Sequence, residues 1–227
     1  MELKKLKFKP IFFKAFERKD IVYVPGVYYA HELPLCPRKS FFLRVLNARI
    51  KPNELMLDGQ IMHETLYKIG MQLVAEGYLR EYWCEKEFKY NAGKITIIGH
   101  PDILGITPEK KTVVFEFKKT ERDEMAINTL HAAYCAQANI YANMAEADMY
   151  CVVFVDRWTY DTGEYWFEPD KTAFKKMVEK AKYVDGCIEK QVIPWGPVFD
   201  WECKSRRHEC QFKIICDKIG RQKELRG

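Results

Sequence analysis

Three side chains of opposing charge stand close together in the middle of this chain. Asp102 closes the phrase Gly99-His100-Pro101-Asp102, and Glu116 and Lys118 lie in the strand-like run Thr112 to Lys118. Side chains alternate along a strand, so Val113, Phe115 and Phe117 point one way while Val114, Glu116 and Lys118 point the other. A carboxylate and an ammonium therefore project from one face, two residues apart. Asp102 is expected at the end of the preceding strand, where it converges on Glu116 if the two strands pair. Two carboxylates and a lysine at a sheet edge suit metal-dependent phosphodiester hydrolysis. Hard oxygen ligands hold Mg or Mn, the ion activates water and polarises the phosphoryl oxygen, and the lysine orients that water or stabilises developing charge. The same residue types also make solvated ion pairs and turn aspartates, so their neighbours must decide between the readings.

Gly59-Gln-Ile-Met-His63 places a histidine on a helix ahead of the sheet, where a neutral imidazole could ligate Mn or orient a ligand water. Gln137 and Tyr141 are four apart on the helix after the strand and share a face, within reach of a phosphate or of Lys118. The eight cysteines divide into two classes. Cys36 sits in Leu33-Pro-Leu-Cys36-Pro-Arg-Lys, and Cys203, Cys210 and Cys216 crowd together near the far end. Four thiolates make a complete set for a 4Fe-4S cluster or an all-thiolate zinc site, in which His208 could replace one thiolate. Cys84, Cys135, Cys151 and Cys187 lack such spacing and fall in helix- or strand-like runs, as small buried hydrophobes do.

The elements that must position these groups can be read coarsely. Val27 to Asn47 reads as helical, broken in two by Pro34 and Pro37. A second helix covers Glu54 to Glu76 and stops at Gly77. Strands at Glu87 to Tyr90 and Lys94 to Ile98 flank the turn Asn91-Ala92-Gly93, and Thr112 to Lys118 follows a Lys-rich turn. Arg122 to Ala147 is helical, Met149 to Val155 and Glu164 to Phe167 are strands, and a helix capped by Asp170 runs to about Lys190. Beyond Pro197 the chain reads as irregular. The order implies an α/β sandwich around a mixed sheet.

With 227 residues and 48% hydrophobic content, a single domain over residues 1–227 is expected. There is no run of 18 apolar residues and no apolar leader behind Met1, so a cytoplasmic chain with reduced thiols and no membrane contact is expected. The net charge of +5 is unevenly placed, because residues 1–19 carry seven Lys/Arg against two acids and residues 203–227 carry eight against three. Each end is thus +5 around a middle of −5.

The order Gly-x-x-x-His, Gly-x-x-Asp, Glu-x-Lys, Gln-x-x-x-Tyr, spanning residues 59–141, resembles the RecB-like branch of the PD-(D/E)XK nuclease superfamily. The resemblance implies a nuclease core at about 54–190, with Asp102, Glu116, His63 and the Phe117 carbonyl as metal ligands. It also makes Lys118 catalytic and gives Gln137 and Tyr141 a supporting role at the substrate. The one-plus-three cysteines resemble those of nucleases with an iron-sulfur clasp, namely AddB-type recombination nucleases and the fourth numbered CRISPR-associated family. The phrase around Cys36 looks like that of the latter. This implies a 4Fe-4S cluster on Cys36, Cys203, Cys210 and Cys216, joining 24–50 to 195–218. It further implies 5′ to 3′ action on single-stranded DNA beside CRISPR integrase subunits, with homo-oligomers found in some members. The six residues between Cys203 and Cys210 depart from the family's two. If the ends meet at a cluster, Arg206 and Arg207 belong to a basic DNA-binding face. A recombination or virus-encoded nuclease and a non-cleaving DNA-end-binding module are the rival readings, and the intact Asp102, Glu116 and Lys118 weigh against the second.

Overall fold

Alternation of side chains between the two faces along Thr112 to Thr120 sets the middle of the fold. The computed structural model describes residues 21–50, 54–120, 128–198, 202–203 and 209–224. In chain order the elements are β1 (Val27–Tyr29), α1 (Pro37–Val45), α2 (Glu54–Ala75), β2 (Glu81–Cys84), β3 (Phe88–Ala92), β4 (Ile95–Gly99), β5 (Ile103–Ile106) and β6 (Thr112–Thr120), then α3 (Asn128–Met144), β7 (Met149–Asp156), β8 (Thr162–Phe167), α4 (Lys171–Glu189) and α5 (Lys213–Glu224). They form a five-stranded sheet in the order β2-β5-β6-β7-β8 and a three-stranded one in the order β1-β4-β3. Only β6 and β7 are parallel in the larger sheet, because a crossover through α3 joins them, while short turns join the antiparallel pairs β5–β6 and β7–β8 and the β3–β4 hairpin intervenes between antiparallel β2 and β5.

Both faces of the larger sheet are covered, so β7 reads as a nearly unbroken apolar run rather than an alternating one. Val114, Val152 and Phe154 pack with Ile140 of α3 and Val178 of α4 on one side. Ile103, Val113, Phe115 and Val153 pack with Leu66 of α2 on the other. The face division read from the sequence holds: Glu116 shares its side with Val114 and faces α3.

Asp170 caps α4 as expected, its carboxylate accepting from the N–H groups of Thr172 and Ala173 at 2.7 and 3.0 Å. Three expectations need correction. Val27–Tyr29 is a strand, pairing in parallel with β4, and only Pro37–Val45 of that region is an α-helix. A proline at the first turn starts that helix rather than breaking it. Asp102 does not end the strand before Glu116; it stands just ahead of β5, a strand the residue pattern did not signal. The C-terminal segment is not irregular throughout, since Lys213–Glu224 is helical.

The two ends of the described chain meet. Phe212 is buried against Phe42 of α1 with ring centroids 5.4 Å apart, and the Gln211 side chain donates to the Arg49 carbonyl at 3.2 Å. Beneath them Arg44 holds Glu32 in a buried ion pair at 2.6 Å. No helix among the described residues is long and apolar enough to cross a membrane.

Candidate active site

The β5–β6 register brings the two acids together. Ile103 pairs with Phe115, so the next position on each strand places Asp102 opposite Glu116. The two carboxylates are 3% and 1% exposed. Asp102 Oδ2 accepts from the Phe117 N–H at 2.7 Å. The N–H and carbonyl of one strand residue face the same edge, so the Phe117 carbonyl is turned toward Asp102 as well. Glu116 Oε1 accepts from Gln137 Nε2 at 2.7 Å and lies 2.5 Å from Lys118 Nζ. Gln137 also donates to the Tyr141 hydroxyl at 3.0 Å, so both expected helical residues reach the site, through Glu116 rather than through Lys118. His63 presents Nδ1 to Asp102 Oδ1 at 3.5 Å.

One atom defines what is missing from this arrangement. Glu116 Oε2 is buried and has no hydrogen-bond partner among the described residues. An orphaned carboxylate oxygen in a low-dielectric setting is costly, and a divalent cation satisfies it. Asp102, Glu116 and the Phe117 carbonyl supply hard oxygen donors that fit Mg or Mn. Among the described residues, no three or more His, Cys, Asp or Glu side chains are gathered as a ready-made metal cage. The ion would thus rest on two carboxylates, the carbonyl and water, the sparse ligation that Mg commonly shows.

Burial, together with the charge of Asp102, pushes the Glu116 carboxyl up to about 7, against the opposing pull of Lys118. Burial raises Asp102 too. Burial would discharge Lys118, but Glu116 and Asp102 outweigh it and hold the lysine above its usual range. The sign of the pH dependence follows. With its folded pKa raised, Glu116 holds a proton between about pH 4.5 and 7 that the unfolded chain releases, so the metal-free protein loses stability as pH rises through that window. His31, lowered to about 4 mainly by burial, acts oppositely between its folded value and 6.5. Thermal unfolding in chelator is therefore expected to show a steeper fall of Tm between about pH 4.5 and 7 for the wild type than for Glu116→Gln. Parallel curves would refute the assignment.

Three contributors carried no readable spacing. Glu85 lies 3.1 Å from His63 Nδ1, and the Tyr134 ring sits under Lys118 Nζ at 5.0 Å. His31 is close enough for the charge of Lys118 to depress it. Gly99 had a signal, the glycine of Gly-x-x-Asp, but its reason is visible only in three dimensions. A Cβ there would lie 2.8 Å from the Tyr141 ring. Gly99→Ala is expected to displace Tyr141 from Gln137 and to cost about 1–3 kcal/mol through overpacking, measured by denaturant unfolding. Adding Tyr141→Leu should recover part of the loss, and no recovery would place the strain elsewhere.

All eight cysteines are free, and the four without ligand-like spacing lie in or beside the core. Cys151 and Cys187 are buried in the core, and Cys84 and Cys135 are partly buried beside it. Cys36 precedes the first turn of α1, where the Lys39 and Arg38 N–H groups bond its sulfur and oppose the burial that pushes the thiol up to about 11. Cys216 contributes to the charge around Cys36, and Cys203 is raised first by burial and then by Cys210 and Cys216. Arg38 bonds Cys216. The Cys210 N–H also donates to the Cys203 carbonyl at 3.0 Å, closing the longer loop on itself. The four reduced thiols share one electrostatic neighbourhood, with helix N–H groups and a guanidinium beside them, but among the described residues no three of them are gathered as a ready-made metal site. Arg206, Arg207 and His208 lie outside the described residues.

No family model and no curated protein matches this chain. Solved structures do. The protein solved as SSO0001 aligns with a TM-score of 0.61 at 19% identity, over 93% of this chain and 96% of its own. A phage-related exonuclease from Haemophilus somnus 129PT aligns with a TM-score of 0.51 at 16% identity, over 68% and 82%. The alkaline exonuclease LHK-Exo from Laribacter hongkongensis, in complex with dAMP, aligns with a TM-score of 0.53 at 13% identity, over 80% and 93%. At these identities the likeness concerns architecture: this chain shares with these solved structures a mixed sheet flanked by helices.

Proposed function

We propose that this chain is a metal-dependent DNA exonuclease that hydrolyses phosphodiester bonds at Asp102, Glu116 and Lys118. The observation that carries the reading is the buried, unpartnered Glu116 Oε2 beside Asp102, with a lysine held on the other oxygen of the same carboxylate. When bound, Mg or Mn supplies Lewis-acid polarisation of the phosphoryl oxygen and an activated water. The protein's own residues do the rest. Asp102 is fixed by the Phe117 N–H, and Glu116 by Gln137, so neither carboxylate turns away from the shared edge. Lys118 stays charged between Glu116 and Asp102, where an ammonium can donate to a water or to a phosphate oxygen but cannot accept a proton. Its role is therefore orientation and charge stabilisation rather than general-base catalysis.

The finer reading is a 4Fe-4S nuclease that degrades single-stranded DNA from the 5′ end and trims spacer precursors beside CRISPR integrase subunits. It is supported by the cysteine phrase around Cys36, by the meeting of the chain ends at Phe42 and Phe212, and by the shared surroundings of the four thiols. The cluster would be held by Cys36, Cys203, Cys210 and Cys216, tying the C-terminal segment to α1. Oligonucleotides labelled at either end, incubated with anaerobically purified protein and Mn, test the polarity. Immediate release of labelled mononucleotide from the 5′-labelled strand, with progressive shortening of the 3′-labelled one, is expected. The reverse pattern would overturn the polarity, and internal cuts would overturn the exonuclease. A gene neighbourhood without integrase genes would favour recombination or a viral setting.

A further inference from the structure

Past the ends of β6 and β7 the chain turns through residues 157–161, and this loop is firmly held. Asp156 is 2% exposed, and its Oδ1 accepts from the Trp158 and Thr159 N–H groups, both at 2.8 Å. The Tyr160 N–H donates to the Asp156 carbonyl at 3.1 Å, the Asp156 N–H to the Asp161 carbonyl at 2.8 Å, and the Arg157 N–H to the Thr120 carbonyl at 2.8 Å. An aspartate-anchored turn of this kind fixes the backbone locally. Yet its two aromatic side chains are offered to solvent, Trp158 at 72% and Tyr160 at 66% exposure. Tyr160 also sits at φ 60°, in the left-handed region that bulky residues rarely enter. Folding alone would be better served by glycine or asparagine at that backbone position and by polar side chains at that exposure. A strained, rigid mount for exposed rings points to a use for the rings.

Their surroundings say what the use is. Lys119 places its ammonium 5.5 Å from the Tyr160 ring centroid; next to Lys118 in β6, it projects from the opposite face of the strand, so the loop and its cation stand at the end of the sheet past the candidate site. In the parallel β6–β7 register Lys118 pairs with Phe154 and Thr120 with Asp156. The loop thus begins three residues, about 10 Å, beyond the register position of Lys118. Flat π faces and a cation at the end of the sheet, about 10 Å along the strand from the candidate phosphodiester-cleaving centre, match the chemistry of an unpaired strand, which offers base faces to rings and phosphates to ammonium groups. In a duplex the base faces are already stacked on one another and unavailable.

We infer that Trp158 and Tyr160 form a stacking platform for the unpaired nucleobases of the strand being cut, with Lys119 holding its backbone. The inference rests on the nuclease reading for the identity of the strand, but the platform can be tested without cleavage. The full chain in EDTA is titrated into a fluorescently labelled twelve-residue oligothymidylate, its abasic counterpart and a blunt duplex, and anisotropy gives the dissociation constants. Trp158→Ala is expected to weaken oligothymidylate binding by about 5- to 150-fold, the range for loss of one stacked base. Trp158→Phe should retain most of the affinity, and binding of the abasic strand should be unchanged. Metal-dependent hydrolysis of bis(p-nitrophenyl) phosphate, which has no base to stack, should be equal in wild type and Trp158→Ala. Equal oligothymidylate affinities for wild type and Trp158→Ala, an equal loss on the abasic strand, or no binding by the wild type would each overturn the platform. A wild type that binds through Trp158 but hydrolyses neither substrate with Mn would overturn the nuclease reading and leave the platform standing.

Discussion

Lys118→Ala is expected to lower the single-turnover rate of Mn-dependent cleavage of end-labelled single-stranded DNA by about 10²- to 10³-fold, the usual effect of removing one preorganised transition-state donor. Lys118 Nζ lies 2.5 Å from Glu116 Oε1 and over the Tyr134 ring, so it is positioned before substrate arrives. Its neighbours hold it protonated, and the loss is therefore one of charge and orientation. Mn affinity should change far less than the rate, because the metal-facing oxygens belong to Asp102 and Glu116. With the ammonium gone, the Glu116 carboxyl loses a group that lowers its pKa, and the pH at which residual cleavage rises should move upward. Lys118→Arg should rescue poorly, since a planar guanidinium cannot occupy the point-charge position between Glu116 and Tyr134. Equal cleavage by the wild type and Lys118→Ala would remove the lysine from the mechanism.

The second large effect is expected at the cysteines. Anaerobically purified protein should be brown and carry about four iron and four sulfide per chain, and Cys216→Ala should reduce both to below about one. Cys216 accepts a bond from Arg38 of α1, and its charge is felt at Cys36 and Cys203. Loss of the centre should also weaken the docking of Phe212 on Phe42, lowering Tm and exposing the C-terminal segment to protease. A cluster-free wild type holding one zinc would reject iron-sulfur while keeping the thiolate site. A metal-free wild type with the same Tm as Cys216→Ala would reject both.

Much of the site was legible because it lies on a strand whose faces are set by period-2 alternation. Once Thr112 to Lys118 reads as a strand, Glu116 and Lys118 must share a face, and they do. Gln137 and Tyr141 were legible for the equivalent helical reason, though what they reach is Glu116. Asp102 was recognised but misplaced, because the four-residue β5 contains Gly105 and is too short to show periodicity. Gly105 is needed there, since a Cβ would come within 2.7 Å of Leu79. The same brevity hid β1, three residues whose partner strand lies some seventy positions away in sequence. Long-range pairing of that kind leaves no local pattern. Glu85 and Tyr134 could not be found because their role is set by what folding brings beside them, His63 and Lys118, and not by spacing. The aromatic loop was overlooked for a different reason: exposed Trp158 and Tyr160 become informative only when the hydrogen bonds beneath them show that the loop is rigid.

The central claim is that a divalent cation on Asp102 and Glu116 drives phosphodiester cleavage. Single-turnover cleavage of end-labelled single-stranded DNA across a Mn titration, with wild type and Glu116→Gln purified identically under anaerobic conditions, tests it most directly. The wild type should be inactive in EDTA and saturate with Mn. Glu116→Gln, which removes the charge from the orphaned oxygen while keeping the shape of the side chain, should lose at least about 10²-fold in rate at every Mn concentration. Cleavage by Glu116→Gln at the wild-type rate, or wild-type cleavage that persists in EDTA, would contradict it.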